Sequence, residues 1–326
     1  MALKKTPQII KRLQHLMRYE TAGDPMTGLK WTRKATRKIA RELQQEGILV
    51  GATSVARMLK KMGYSLRANR KRLALNGNGS KQERRQRDRQ FRHICATREC
   101  FARLGEPVIS VDTKKKELIG NFKNPGRVWR NRYREVADHD FPSYAKAKIS
   151  PYGIYDTLAN TAMVCVGTSH DTPAFAAGSI LAWWQRHGAQ QYPHAKNILI
   201  LADNGGSNRP TSLPLKYHLW NSLCLQYGLT VTVCHYPTGA SKWNPIEHRL
   251  FSEISKNGTG EPLVSLQSAL NFIRKTQTSS GLRVSAMLNR KHYPCKEKIP
   301  KEQAARILLQ KDSVFPDLNY RLLPPK

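Results

Sequence analysis

Residues 197–208 read NILILADNGGSN, and this stretch decides the fold. Five apolar residues in an unbroken run, Ile198 to Ala202, predict a strand covered on both faces, because a strand with one wet face would alternate. The run stops at Asp203 and falls into a glycine-rich loop. Such strands belong to sheets with helices on either side, where chemistry gathers at strand ends.

Working outward, Val108, Ile109 and Val111 in EPVISVDTKKKELIGNF (106–122) predict a strand that ends at Asp112, with Leu118 and Ile119 as a second piece after a basic turn. MVCVGT (163–168) and LTVTVCHY (229–236) add further strands. Helices are expected from Thr172 through Trp184 and near 212–227. A further helix opens after Trp243-Asn244-Pro245. The reading is an α/β protein, a sheet flanked by helices.

The last of these helices poses a question. Asn244, Pro245 and Glu247 have the spacing of a cap, a first-turn proline and a capping-box acid. At about 100° per residue, however, Ile246, Leu250, Phe251 and Ile254 form one apolar arc that includes Glu247, while His248, Arg249, Ser252 and Lys256 lie opposite. A carboxylate on an apolar face needs a cation or donors. Asp112, Asp203 and Glu247 meeting at one sheet edge would repel one another, and a divalent cation relieves that repulsion.

The chain of 326 residues carries 55 Lys+Arg against 23 Asp+Glu, a net +32. Residues 1–90 hold 23 of the cations and 6 of the acids, so +17 of the excess lies in the first quarter. That balance suits a polyanion, nucleic acid above all. There, Ile9, Leu13, Leu16 and Met17 repeat at helical spacing. Thr32 is expected to cap a second helix ending at Gly47, and a third runs from about Thr53 to Gly63. Ser54, Arg57, Lys60 and Lys61 would form its outer face, as in a helix-turn-helix reader of DNA. The expected division is a helical DNA-binding module over 1–75, a basic linker or helix over 76–100, a catalytic body over 101–260 with a cationic insert at 123–150, and a C-terminal helical extension over 261–326.

Six cysteines include no CxxC pair, which points to reduced thiols rather than zinc. No run of 18 apolar residues suggests a membrane span, so the expected place is the cytoplasm, beside the nucleoid.

The segments PVISVDTKKKELIGNFKN, ISPYGIYD, ADNGGSN and TVTVCHYPTGASKWNPIEHRLFSEIS, in that order, resemble the Rhodopirellula-type DDE transposases of bacterial insertion sequences, over about residues 24–300. The resemblance implies a ribonuclease-H-like catalytic domain, a mixed sheet flanked by helices, whose acidic triad is Asp112, Asp203 and Glu247. It also implies two Mg²⁺ ions, replaceable by Mn²⁺, held by those acids, with DNA as the partner. DNA cleavage and strand transfer would need at least a dimer to join two ends. Asn204 and Pro245 stand where the family pattern would have Gly and Lys. Rival readings are a nuclease that cuts without joining and a silent DNA-binding repressor. Lys114, Lys115, Lys116, Lys242 and Arg249 are candidate phosphate contacts. Trp243 either stacks on an unpaired base or packs beneath its loop. His139, Asp140, His170 and Asp171 are further groups that could approach the acids.

Overall fold

A computed structural model describes residues 6–17, 21–23, 30–32, 35–64, 81–128, 131–132, 134–137 and 139–325. The chain divides into two compact units, residues 1–72 and 73–326.

In the first unit, α1 (Thr6–Met17) is followed by a short antiparallel pair, β1 (Thr21–Gly23) and β2 (Lys30–Thr32), then α2 (Thr36–Gln45) and α3 (Ala52–Lys61). Leu13, Ile39, Ala40, Leu43, Val55 and Met58 close a small core. Gly47 and Gly63, at φ 77° and 84°, end the two helices as the sequence predicts, since only glycine takes that conformation without cost. Thr32 does not cap α2. Its backbone is committed to the β1–β2 ladder opposite Thr21, and Ala35 stands at the cap position with no side-chain bond. The third helix begins at Ala52, behind Gly51, one residue earlier than expected. Residues 69–80 of the basic connector lie outside the described residues.

In the second unit, α4 (Lys81–Arg103) leads into β3 (Val108–Thr113) and β4 (Glu117–Ile119). Next come β5 (Ala147–Asp156), β6 (Thr161–Gly167), α5 (Pro173–Trp183) and the short α6 (Ala189–Gln191). Then follow β7 (Asn197–Ala202), α7 (Leu213–Leu219), α8 (Leu225–Tyr227), β8 (Thr230–His235) and α9 (Ser252–Asn257). The chain continues through α10 (Leu266–Arg274), β9 (Arg283–Asn289), α11 (Lys301–Ala305), β10 (Leu309–Lys311) and β11 (Asn319–Leu322).

One nine-stranded sheet runs β10-β11-β8-β7-β3-β5-β6-β9, with β4 paired to β5. The five central strands give the ribonuclease-H-like pattern: β3, β5 and β6 antiparallel in turn, and β7 and β8 parallel to β3. Alternation assigns the faces. Ile109, Val111, Ile198, Ile200 and Ala202 pack against α5 and α7. Val108, Leu199 and Leu201 face α4 through Ile94. On that second face, farther along the sheet, Ile246, Leu250, Phe251 and Ile254 meet Tyr155 and Val164. Thus NILILA is covered on both sides, as its sequence predicts.

Two stretches differ from expectation. The end of the 123–150 insert is already sheet, because β5 starts at Ala147. The region beyond 261 is helical only at α10 and α11. It also supplies β9, beside β6, and the pair β10–β11, beside β8, and so lines both edges of the sheet.

Candidate active site

Asp112 is the penultimate residue of β3 and Asp203 the first after β7. The parallel register Val111↔Ala202 sets the two strand ends side by side. Residue period two puts Ser110 and Asp112 on the same face of β3, the face covered by the helix that follows β8. That helix is fastened at its start. Asn244 is fully buried, and its side chain donates to Val111 O at 3.1 Å and accepts from Ser110 Oγ. The Ile246 amide donates to the same Ser110 hydroxyl at 3.1 Å. Asn244 therefore does not use its side chain as a helix cap, as the capping-box spacing suggested; it latches the helix to β3. From Glu247 to Phe251 the helix widens into a π turn, a local feature that recurs at functional sites.

The three acids feel one another. Burial first, then the charge of Asp203, pushes the Asp112 carboxyl up to about 8, and Glu247 adds to the rise through charge and a hydrogen bond. The Thr113 amide, 2.7 Å from Asp112 Oδ1, opposes it. Asp203 is also raised, mainly by burial, with contributions from Glu247 and Asp171; the Gly205 amide and the Asn208 side chain hold it down. Asp171 belongs to the same cluster, since Thr113 Oγ1 donates to its Oδ1 at 3.2 Å.

Asn208 is a neighbour of Asp203 that sequence reasoning missed. Tyr152 donates to its Oδ1 at 2.8 Å, which turns the amide nitrogen toward Asp203. The ring of His235 sits 2.8 Å from the Asn208 carbonyl through Nε2. A buried asparagine closing the ADNGGSN loop was the available signal.

Among the described residues, no group of three His, Cys, Asp or Glu side chains is arranged to hold a metal ion as it stands. The donors nevertheless fit a hard divalent cation. They are carboxylate oxygens, and Asp203 Oδ1 is buried with no hydrogen-bond partner.

The other predicted residues are distributed as follows. Arg57, Lys60 and Lys61 are exposed on α3, and Ser54 is half-buried there. Lys114 is half-buried and ion-paired with Glu117, whereas Lys115 and Lys116 are exposed in the turn before β4. Arg249 is exposed on the outer side of its helix, and its charge lowers the Tyr155 phenol against a rise caused by burial. Trp243 stays 57% exposed and so is not packed beneath its loop, with Lys242 Nζ 5.2 Å from its ring centre. His139 stacks on Phe141, and His170 meets His292 edge to face; neither histidine joins the acids. Asp140 is exposed.

No curated protein matches the chain. Among solved structures, the Mos1 transposase paired-end complex with left transposon end is similar with a TM-score of 0.43 and 14% identity, over 81% of this chain and 69% of that one. The Mos1 strand transfer complex has a TM-score of 0.43 and 13% identity, over 81% and 68%. The Mos1 mariner paired-end complex with Mn has 0.42 and 14%, over 81% and 69%. The family described as "Rhodopirellula transposase DDE domain" matches residues 12–324. With almost every residue spanned by that match, the chain belongs to the Rhodopirellula DDE transposase family.

Proposed function

We propose that this transposase cuts the ends of its insertion sequence and joins them to new DNA, using Asp112, Asp203 and Glu247 as its catalytic carboxylates. The observation that carries the reading is that Asp203 and Glu247 both raise the buried Asp112 carboxyl, and Glu247 that of Asp203, in a chain of net charge +32. In so basic a protein, a buried acidic pocket costs stability and calls for a cationic occupant. The three side chains would hold Mg²⁺, or Mn²⁺ in its place. Bound ions of this kind supply Lewis-acid stabilisation of the reacting phosphate and help deprotonate the attacking hydroxyl.

The chain does the positioning. Ser110 and Asn244 hold the Glu247 helix against β3, and Asn208 orients Asp203. Lys115, Lys116, Lys242 and Arg249, exposed around the acids in sequence, would take DNA phosphates, while Lys114 is engaged by Glu117. The first unit would read the element ends through the face of α3 that carries Ser54, Arg57, Lys60 and Lys61. Two ends must be held at once, so the working form on DNA is at least a dimer, acting in the cytoplasm on chromosomal or plasmid DNA.

A supercoiled donor plasmid bearing the element ends, incubated with Mg²⁺ or Mn²⁺, tests this. Excised ends together with joined products are expected. Nicks without joining would mark a nuclease, and retarded but uncut DNA a repressor. Glu247→Gln should lose cleavage while still shifting end DNA in a gel; cutting at the normal rate by that variant removes Glu247 from the chemistry.

A further inference from the structure

Trp243 lies four residues before Glu247, in a loop that is otherwise tied down. Its amide donates to Ala240 O at 2.8 Å, the His248 ring bonds the Lys242 carbonyl, and Asn244 after it is fully buried. Even so, 57% of the tryptophan is open to solvent. Facing it is α4. Between them runs a groove of about 680 Å³ lined by Arg87, Asp88, Phe91, Arg92, Lys242 and Trp243. The Phe91 and Trp243 rings meet nearly edge to face, with centroids 6.1 Å apart and planes at 75°. The Arg87 guanidinium stands 5.9 Å from the Phe91 ring centre, and the Lys242 ammonium 5.2 Å from that of Trp243.

Cation–π attraction accounts for where Lys242 and Arg87 rest. It does not account for an indole left mostly open in a fastened loop. Three cations against one acid select an anionic partner. An acidic peptide would satisfy the cations and leave the rings idle, and paired DNA keeps its base faces stacked inside the duplex. Aromatic rings set among cations are the composition of surfaces that bind unpaired nucleotides, where the rings stack on bases and the cations take the phosphates.

We propose that this groove holds an unpaired nucleotide of the DNA being processed, with its base against Trp243 and its flanking phosphates on Arg87, Arg92 and Lys242. The assignment rests on the transposase reading above. Four residues of chain reach at most about 14 Å, so the groove lies close to Glu247. It would hold strand ends frayed or exposed by cutting, and it gives α4 a part in DNA handling beyond that of a linker.

Binding measured in EDTA, where nothing is cut, isolates the groove. The full-length protein is titrated with a labelled 12-nucleotide single strand of mixed sequence and with an abasic strand of the same length. The base-bearing strand should bind about 10-fold tighter, or ~1.4 kcal/mol. Trp243→Leu should erase that preference and leave abasic binding and its salt dependence unchanged, whereas Trp243→Phe should keep most of it. The proposal is overturned if Trp243→Leu retains the preference, or if it loses both strands alike, which would place the effect in the fold or in the phosphate grip. Plasmid cleavage is scored separately. A preference for bases without cleavage sinks the transposition reading alone, and cleavage without the preference sinks the groove alone.

Discussion

His235 has no exposed surface, and its ring nitrogens face the carbonyls of Asn208 at 2.8 Å and Leu318 at 3.0 Å. Burial pushes its pKa down to about 4, against a partial rise from those two carbonyls. The unfolded chain therefore binds a proton that the folded chain refuses between about pH 6.5 and pH 4. Stability from this group is present above 6.5 and is lost as pH falls through that window, by an amount on the order of 3 kcal/mol. Asp112, raised to about 8, tilts the other way over the same range, because the folded state keeps its proton. The comparison to make is therefore urea denaturation of wild type against His235→Gln at pH 7 and pH 4.5. The variant should lose less stability on acidification; parallel losses would show that the ring is not buried neutral. The sequence made the three acids legible because two of them terminate apolar runs and one sits within an apolar arc. It could not show Asn208, Tyr152 or Ser110 as their supports, since those contacts join a strand to a loop distant in sequence and are fixed by the tertiary fold rather than by local pattern.

At the scale of elements, β5 governs how closely the Glu247 helix can approach. Gly153 pairs with Asp112 across the ladder, and a Cβ added there would meet Phe251 Cε1 at 2.7 Å and Ile246 Cδ1 at 2.9 Å. Gly153→Ala should lift the helix, cost about 1–3 kcal/mol by overpacking, and reduce cleavage more than the stability loss explains. Denaturation curves and plasmid cleavage on the same preparation would check this, and unimpaired cutting would mean that the helix seats elsewhere. In the first unit, replacing Arg57 and Lys60 with Ala should weaken binding to element ends and lower the slope of log affinity against log salt by about 1.8, for two lost phosphate contacts. Unchanged end affinity would move recognition off α3. The same glycine explains why β5 was hard to foresee: ISPYGIYD carries a proline and a glycine in the middle of a strand. Pro151 is tolerated because β3 reaches only to Tyr152 and β4 begins its pairing at Ile149, so its missing N–H falls near the gap between the two ladders. Strand β9 escaped notice because RVSAMLN is only partly apolar, and β11 because NYRL is also short. By contrast, β7 announces itself through its unbroken apolar run, β8 through alternation, and α5 and α7 through their large apolar residues.

Across the whole second unit, Gln90 joins parts of the chain far apart in sequence. It is buried, donates to His235 O at 2.9 Å and to Asn319 Oδ1 at 2.8 Å, and accepts from Asn319 Nδ2 at 2.8 Å. One amide thus ties α4 to β8 and β11. Gln90→Ala should cost about 2–3 kcal/mol by stranding those buried groups. Adding Asn319→Ala should cost less than the two single changes together, because they share the same bonds. Additive losses in urea melts would dissolve the pair as a unit. Strands β9, β10 and β11 finish both edges of the sheet with residues 283–322, all of which follow Glu247 in the chain. A nascent chain carrying all three acids still has β6 and β8 as bare edges, which invite misassembly. Translation must therefore pass well beyond Glu247 before the sheet is closed, so a frameshift or stop between Glu247 and β11 should silence the element even though every proposed catalytic acid has been made.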